Sequence, residues 1–200
     1  MPTHRQAEQT RERIIEAAYQ AILEHGIAGA TTKRIARLAG CSEALLYKHF
    51  SGKEELFLAV ILERMPALAP PLRRLRAAAG EGDLHAHLTE FTLAAVTFYT
   101  STAPIASGMI GDPSLLGTFR GMLADMDAGP HLPIQILASI LRSEQEGGRI
   151  AAGADCDTLA SLLMGACYHR AHLSYFVDQA VSAEDYARAV VAALFGASTR

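Results

Sequence analysis

Residues 31–50 read TTKRIARLAGCSEALLYKHF, and this stretch decides the predicted fold. Thr31 or Thr32 can cap the start of one short helix and Ser42 the start of another, because their side-chain oxygens accept from free backbone N–H groups. Gly40 lies between the two helices and permits the positive φ of a tight turn. Two short helices joined in this way form a helix-turn-helix, which places its second helix in the major groove of DNA.

The second of these helices, over about residues 43–50, has a buried side and an opposite side. At about 100° per residue, Leu46 and Phe50 lie within about 40° of each other and form the side that packs inward. The opposite side consists of Ala44, Leu45 and Lys48. We therefore expect Lys48 to point at the floor of the groove.

Three further residues are placed to contact phosphates. Tyr47 and His49 lie about 100° to either side of Lys48, toward the two walls of the groove. Lys53 lies in the first turn of the following helix, whose free N–H groups also suit a phosphate. A division into groups that read bases and groups that hold the backbone is typical of DNA-binding proteins.

The charge of the chain is unevenly distributed. The 200 residues have a formal net charge of −3. Residues 31–53 nevertheless hold five basic side chains and one acidic side chain, whereas residues 54–200 hold ten basic and sixteen acidic ones. A basic patch on an otherwise acidic chain indicates a local anionic partner, although a solvated face is the alternative interpretation.

Glycine and proline divide the whole chain into helix-length segments rich in alanine and leucine, and no alternating strand pattern occurs. The pattern predicts an all-α protein of nine helices. Their approximate spans are 7–25, 31–39, 43–50, 52–64, 83–102, 113–127, 131–146, 156–178 and 182–195. Ser51 with Glu54 is expected to form a capping box at the start of the fourth helix. After that helix we expect an arginine-rich turn, and around Pro104 a kinked or looped connection.

Several classes of function are excluded by missing motifs. The sequence has no GxSxG, P-loop or GxGxxG pattern, so we expect no catalytic residues and no cofactor. The three cysteines have no zinc-ligand spacing, and the His169–His172 pair lacks further ligands, so we expect no metal site. The polar N-terminus is unlike a secretory signal, and the apolar run 91–99 is too short to span a membrane. We expect a cytoplasmic protein.

The motif LYKHF at 46–50, followed by KEEL at 53–56, carries a family resemblance. With TT at 31–32, IA at 35–36 and LAG at 38–40, it makes residues 10–57 similar to the N-terminal domain of the TetR family of bacterial transcriptional regulators. The motifs cover about a quarter of the chain, and the remainder resembles the family only in its helical layout. Cys41 departs from the aliphatic residue usual at the turn, and a buried cysteine can serve there as a small hydrophobe.

The resemblance implies a helix-turn-helix domain over residues 1–57 and an effector-binding and dimerisation domain over residues 58–200. Family positions that contact phosphates correspond to Thr32, Tyr47, His49 and Lys53. Positions that contact bases correspond to Lys33, Glu43, Ala44, Leu45 and Lys48, with the cap Ser42 beside them. Glu43 has two interpretations, since its carboxylate can accept from cytosine N4 or can simply favour the helix N-terminus.

In the family the C-terminal region binds a small molecule and dimerises through its last two helices. The 156–178 helix has two apolar faces, and the sequence does not decide which of them meets the partner. One face with the last helix gives a candidate dimer interface, comprising Leu159, Leu163, Ala166, Arg170, Leu173, Val177, Val190 and Leu194. The other face comprises Met164, Tyr168, Ala171 and Tyr175. A monomer core is the alternative for both faces. Candidate effector contacts are Phe91, Ala95, Phe98, Tyr99, Thr102, Met109, Phe119, Met122, Tyr168, His172 and Tyr175, which ordinary core packing would equally explain.

These expectations combine into one hypothesis with two alternatives. The hypothesis is a homodimeric repressor that binds a palindromic double-stranded DNA operator and is released by a small, largely uncharged effector. The first alternative is a DNA-binding dimer of the same fold without a small-molecule effector. The second is a helical carrier of apolar ligands.

Overall fold

Ten α-helices and no strand make up residues 4–65 and 67–196, which the structure, a computed structural model, describes. The helices are α1 (His4–Gly29), α2 (Thr32–Leu38), α3 (Glu43–His49), α4 (Lys53–Arg64), α5 (Ala69–Ala77), α6 (Leu84–Ile110), α7 (Pro113–Asp125), α8 (His131–Glu146), α9 (Cys156–Leu173) and α10 (Ala183–Phe195). The all-α prediction is therefore confirmed.

The tenth helix is α5, which occupies the segment expected to be an arginine-rich turn. Pro70 and Pro71 lie in its first turn. The N–H groups of a first helical turn have no intrahelical partner, so proline is tolerated there. The two prolines that end the preceding segment thus also begin a new helix.

Helix α6 continues through Pro104, where a kink or loop was expected. A proline has no N–H, so the carbonyl of Thr100 loses its helical donor. The hydroxyl of Tyr175 donates to that carbonyl. A side chain distant in sequence therefore replaces one main-chain bond of α6.

The length and apolar composition of α6 would allow it to cross a membrane, and 28% of its most apolar 18-residue window is buried. Five of its seven serine and threonine hydroxyls are satisfied within the helix, since each of the five donates to the carbonyl four residues earlier. They belong to Thr92, Thr97, Thr100, Ser101 and Thr102. Phe91 and Ala95 lie in one hydrophobic core and Ile105 and Met109 in another. We interpret α6 as a core helix.

The described residues divide into two compact units. The first comprises the residues up to Met65 together with Pro104–Asp127, and the second comprises the rest. The expected domain boundary at 57/58 falls inside α4, whose residues on both sides of it are buried in the first core, so the first unit does not end there. The functional assignment of residues 1–57 and 58–200 stays a prediction.

The turn between α2 and α3 is a Schellman motif. The N–H of Cys41 donates to the carbonyl of Ala36 at 2.9 Å, and the N–H of Gly40 donates to that of Arg37 at 3.2 Å. Gly40 has φ 64°, a left-handed conformation that only glycine adopts without strain. The expected role of Gly40 is confirmed.

Replacing Gly40 with alanine should lower the free energy of unfolding by about 1–2 kcal/mol, the cost of a side chain in the left-handed region. Space is not the reason, because a Cβ there would meet no atom within 4 Å. Gly117 in α7 is the matched control, since its Cβ would also meet no atom within 4 Å and its φ is not positive. Gly117→Ala should stabilise by up to about 1 kcal/mol. Urea unfolding followed by circular dichroism measures both, and equal effects would contradict this account.

Candidate nucleic-acid interface

Two side-chain caps fix the starts of α2 and α3. The hydroxyl of Thr31 accepts from the N–H of Arg34 at 3.3 Å, and that of Ser42 accepts from the N–H of Leu45 at 3.1 Å. Of the two threonines considered, Thr31 is therefore the cap. Ser42 is committed to α3 in the same way, so its hydroxyl oxygen has a structural role.

The buried side predicted for α3 is confirmed. Leu46 is fully buried and Phe50 is 2% exposed, both within the core of the first unit. Facing away from that core, Tyr47 is 51% exposed, and Ala44 and Lys48 are exposed as well. Leu45 and His49 are half-buried, and Lys33 on α2 is exposed. The structure thus brings the predicted contact residues of α3 to one surface, and their contact with DNA stays a prediction.

Thr32 is engaged differently from its expected role at a phosphate. Its hydroxyl donates to a carboxylate oxygen of Glu43 at 2.5 Å. A phosphate offers only acceptors, so it would have to displace Glu43 to receive that proton. In the structure the hydroxyl of Thr32 therefore serves the contact between α2 and α3.

Lys53, at the first position of α4, lies beside an aromatic ring and a carboxylate. Its Nζ is 5.8 Å from the centre of the Phe57 ring and 4.0 Å from Oδ2 of Asp112. The other oxygen of Asp112 caps α7 by accepting from the N–H of Leu115 at 3.1 Å. Asp112 thus competes with any phosphate for Lys53.

The start of α4 corrects the predicted capping box by one residue. The N–H and the hydroxyl of Ser51 each donate to Glu55 at 2.7 Å, so Glu55, not Glu54, closes the turn. The N-cap position is Gly52 rather than Ser51. The backbone hydrogen bond from Ser51, and then its hydroxyl, lower the pKa of Glu55. Because the helix begins one residue later than expected, its third position is Glu55 rather than Glu54.

Sequence reasoning assigned no role to Arg37, whose side chain is exposed on α2. It lies in the last turn of α2 and has no carboxylate within ion-pair distance among the described residues. Arg34, in contrast, donates to the carbonyl of Gly29 at 2.7 Å and so holds the preceding turn. Both arginines belong to the basic patch found in the sequence. Charge alone does not distinguish Arg34, which holds a turn, from Arg37, which has no ion-pair partner among the described residues.

Cys41 packs against the first core and is half-buried. Burial raises the pKa of its thiol, which keeps it protonated and unreactive near neutral pH. The interpretation of Cys41 as a small hydrophobe agrees with this position. Within residues 4–65 and 67–196, no three His, Cys, Asp or Glu side chains lie close enough together to hold a metal ion.

The predicted effector contacts fall in both units. Met109, Phe119 and Met122 belong to or pack against the first core. In the second unit, Phe98, Tyr99, Tyr168 and His172 form a row of rings with successive centroid separations of 5.2, 5.4 and 6.3 Å. Burial raises the pKa of Tyr99 to about 12, and its hydroxyl bonds to none of the described residues.

Other members of the predicted effector set have packing roles. Phe91 and Ala95 are fully buried in the second core, and Thr102 donates to the carbonyl of Phe98. Tyr175 is used at the carbonyl of Thr100. A cleft of about 170 Å³ in this unit is lined by Pro71, Arg74, Leu75, Ala78, His87, Glu90 and Phe91, of which only Phe91 was predicted.

The face of α9 assigned to a dimer partner requires correction, because α10 packs on part of it. Leu163 is fully buried, and Arg170 donates to the carbonyl of Val181 at 2.6 Å with its guanidinium over the Tyr186 ring. These two residues are therefore closed to a partner. Helix α9 ends at Leu173 rather than at residue 178, so Val177 lies beyond it. The other predicted interface residues remain partly or fully exposed: Leu159, Ala166, Leu173, Val177, Val190 and Leu194. The apolar residues that α9 itself exposes include Leu162, which is 52% exposed.

Replacing Asp112 with asparagine should strengthen binding to any DNA duplex by up to about fivefold at low salt, because an exposed ion pair contributes at most about 1 kcal/mol. Asparagine retains an oxygen to cap α7 and leaves Lys53 free. Asp125→Asn is the control, since it removes the same charge from the last turn of α7. Fluorescence anisotropy with one duplex at two salt concentrations measures both variants. An equal gain from both would show that only net charge matters.

Comparison with known proteins places this geometry in a family. Residues 14–60 match the family described as "Bacterial regulatory proteins, tetR family". The transcriptional regulator UidR of Escherichia coli K12 is 28% identical over 184 residues, covering 92% of this chain and 87% of its own. The transcriptional repressor AcnR of Corynebacterium diphtheriae is 27% identical over 170 residues, covering 76% of this chain and 87% of its own.

A solved structure shares the fold over nearly the whole chain. The crystal structure of a putative TetR-family regulator from Mesorhizobium loti superposes with a TM-score of 0.73 at 21% identity, covering 96% of this chain and 97% of its own. The matched segment 14–60 contains α2, α3 and the start of α4, where the exposed surface described above lies. The family match over residues 14–60, the two relatives and the shared fold together support a TetR-family transcriptional regulator, a class of DNA-binding protein and not of enzyme.

Proposed function

We propose that the protein is a homodimeric repressor whose α2–α3 surface binds a palindromic operator and which a small, largely uncharged effector releases. The observation that carries the proposal is the orientation of α3. Leu46 anchors it in the first core, while Tyr47 and Lys48 project from the exposed side. The relative AcnR is described as a transcriptional repressor, which supports repression as the sign of regulation. Binding to bacterial DNA would require a cytoplasmic protein.

Each half of the operator would receive one α3 helix. Lys48 would meet base edges, with Lys33 beside it on α2, and Tyr47, His49 and Lys53 would meet phosphates. Arg37 would also contact a phosphate, because its side chain is exposed and has no ion-pair partner in the described part of the chain. Two such heads on one face of the duplex require half-sites separated by at least one helical turn, about 34 Å.

The dimer would form on the exposed sides of α9 and α10. Leu162 and Gly165 of α9 are exposed, and so are Ala189 and Ala193 of α10. The small residues would allow a partner's helices to approach closely, with Leu162 as the apolar contact between them. Phe176, just beyond α9, is 72% exposed and extends this apolar surface. Exposed large apolar residues such as Leu162 and Phe176 support a protein partner at this surface.

The effector would bind beside the ring row of Phe98, Tyr99, Tyr168 and His172. Its members offer ring faces and the hydroxyls of Tyr99 and Tyr168, neither of which bonds to a described residue. No residue of the row carries a permanent charge, which favours an uncharged, partly aromatic or aliphatic molecule. Release would follow if the effector prefers a form of the dimer whose heads mismatch the operator.

A dimeric regulator without a small-molecule effector is the second candidate function. The observation that favours it is the size of the cleft in the second unit, about 170 Å³. Typical ligand pockets are roughly 300–1,000 Å³. Thermal-shift screening separates the candidates, since an effector that binds the folded dimer raises Tm with its concentration.

Lys48→Ala should change which duplexes are preferred, whereas Lys53→Ala should weaken binding to all duplexes and reduce the salt slope by about one. Fluorescence anisotropy compares a duplex from upstream of the protein's own gene with a scrambled duplex at two salt concentrations. Arg73→Ala, which removes an exposed charge from α5 of the second unit, is the control and should leave binding unchanged. If neither lysine variant differs from that control, the proposal that the α2–α3 surface binds DNA is wrong.

Leu162→Glu should convert the dimer to a monomer at micromolar concentration, because it buries a carboxylate in an apolar contact. Leu62→Glu is the matched control, since Leu62 of α4 is 55% exposed and lies in the first unit. Sedimentation velocity gives the mass of each species. A dimeric Leu162→Glu variant would remove this face from the proposed interface.

A further inference from the structure

The first residues of α2 and α3 are joined by a side-chain hydrogen bond. Thr32 Oγ1 donates to Glu43 Oε1 at 2.5 Å, and both residues are half-buried. Glu43 is the one acidic residue among residues 31–53. An acidic group on a surface that approaches phosphates opposes binding electrostatically. Its presence there calls for a compensating interaction.

Capping of α3 does not require Glu43. The hydroxyl of Ser42 already accepts from the N–H of Leu45, and Glu43 accepts from none of the backbone N–H groups of its own helix. Its carboxylate is directed to α2 instead. The second oxygen, Oε2, makes no hydrogen bond to the residues that the structure describes. The hydrogen bond from Thr32 therefore restrains the carboxylate at the N-terminus of α3 while its Oε2 remains able to accept a further hydrogen bond.

The N-terminal residues of a recognition helix are those that contact base edges in the major groove. An ionised carboxylate can only accept hydrogen bonds. In the major groove the donors are the N4 amino group of cytosine and the N6 amino group of adenine, and adenine also presents the N7 acceptor beside it. Guanine and thymine present O6, N7 or O4, whose lone pairs would face the carboxylate. The next side chain, Ala44, is exposed and small, so it leaves room for a base edge.

We propose that Glu43 is a specificity-determining residue that accepts from an exocyclic amino group of each operator half-site, preferentially cytosine N4, and that Thr32 is its positioning residue. The inference rests on the proposed function, because it requires α3 to enter the major groove. Thr32 restrains a side chain with three rotatable bonds, so less conformational freedom is lost when the base contact forms. The expected contact of Thr32 with a phosphate is replaced by this indirect role.

The experiment selects binding sites for the full-length protein from a random duplex library. Fluorescence anisotropy then measures binding to the selected duplex and to each of its single base-pair variants. The wild-type protein should disfavour the change from cytosine to thymine at one position per half-site by roughly 5- to 100-fold. Glu43→Ala should reduce that ratio to less than about twofold and leave the ratios at other positions unchanged. Glu43→Gln, which has the same shape and offers donors as well as an acceptor, should tolerate guanine or thymine there.

Thr32→Val is the test of the positioning role, because it removes the hydroxyl with little change of shape and leaves the cap Thr31 in place. It should keep cytosine as the preferred base with a reduced ratio. An unchanged ratio in this variant would overturn the role of Thr32. Full discrimination at every position in Glu43→Ala, with tighter binding to all duplexes, would overturn the role of Glu43 and show that its carboxylate only repels phosphates. A wild-type protein that selects no sequence would overturn the proposed function itself, so the two failures are distinct.

Discussion

The burial of Leu46 in the first core is the constraint on which the DNA-binding surface depends. Helix α3 has seven residues, and helices shorter than about 12 residues are marginal in water by themselves. Its existence and its orientation must therefore come from packing. Leu46 is fully buried and Phe50, at the C-cap, is 2% exposed. Because these two residues are buried, helical geometry fixes the directions of the other side chains of α3.

The helix-turn-helix was predictable because its determinants are local. Caps at Thr31 and Ser42, the left-handed Gly40 and the spacing of Leu46 and Phe50 are each readable within a few residues. The start of α10 is local in the same way, since the hydroxyl of Ser182 accepts from the N–H of Asp185. Such features depend on the chain's own neighbours, so one sequence suffices to find them.

Most of the contacts that escaped prediction depend on residues distant in sequence, whereas α5 and the Ser51–Glu55 contact are local features. Helical spacing indicates two apolar sides for the α9 segment, but it does not show that Leu163 is buried within the monomer or that Arg170 packs on Tyr186 of α10. The partners of Lys53 and Thr32 were hidden for the same reason, since Asp112 lies 59 positions away from Lys53 and Glu43 belongs to the next helix. Of the predicted effector residues, packing brings Phe98, Tyr99, Tyr168 and His172 into one row, while Met109 and Phe119 serve the first core. Side-chain type alone could not divide them.

The bond between Tyr175 and the carbonyl of Thr100 makes the continuity of α6 a property of the folded protein rather than of its local sequence. In a peptide of residues 84–110 alone, Pro104 would leave that carbonyl to water and the helix would tend to break there. Within the protein, the segment after α9 supplies the missing donor. The docking of that segment therefore contributes to the continuity of α6 near Thr100.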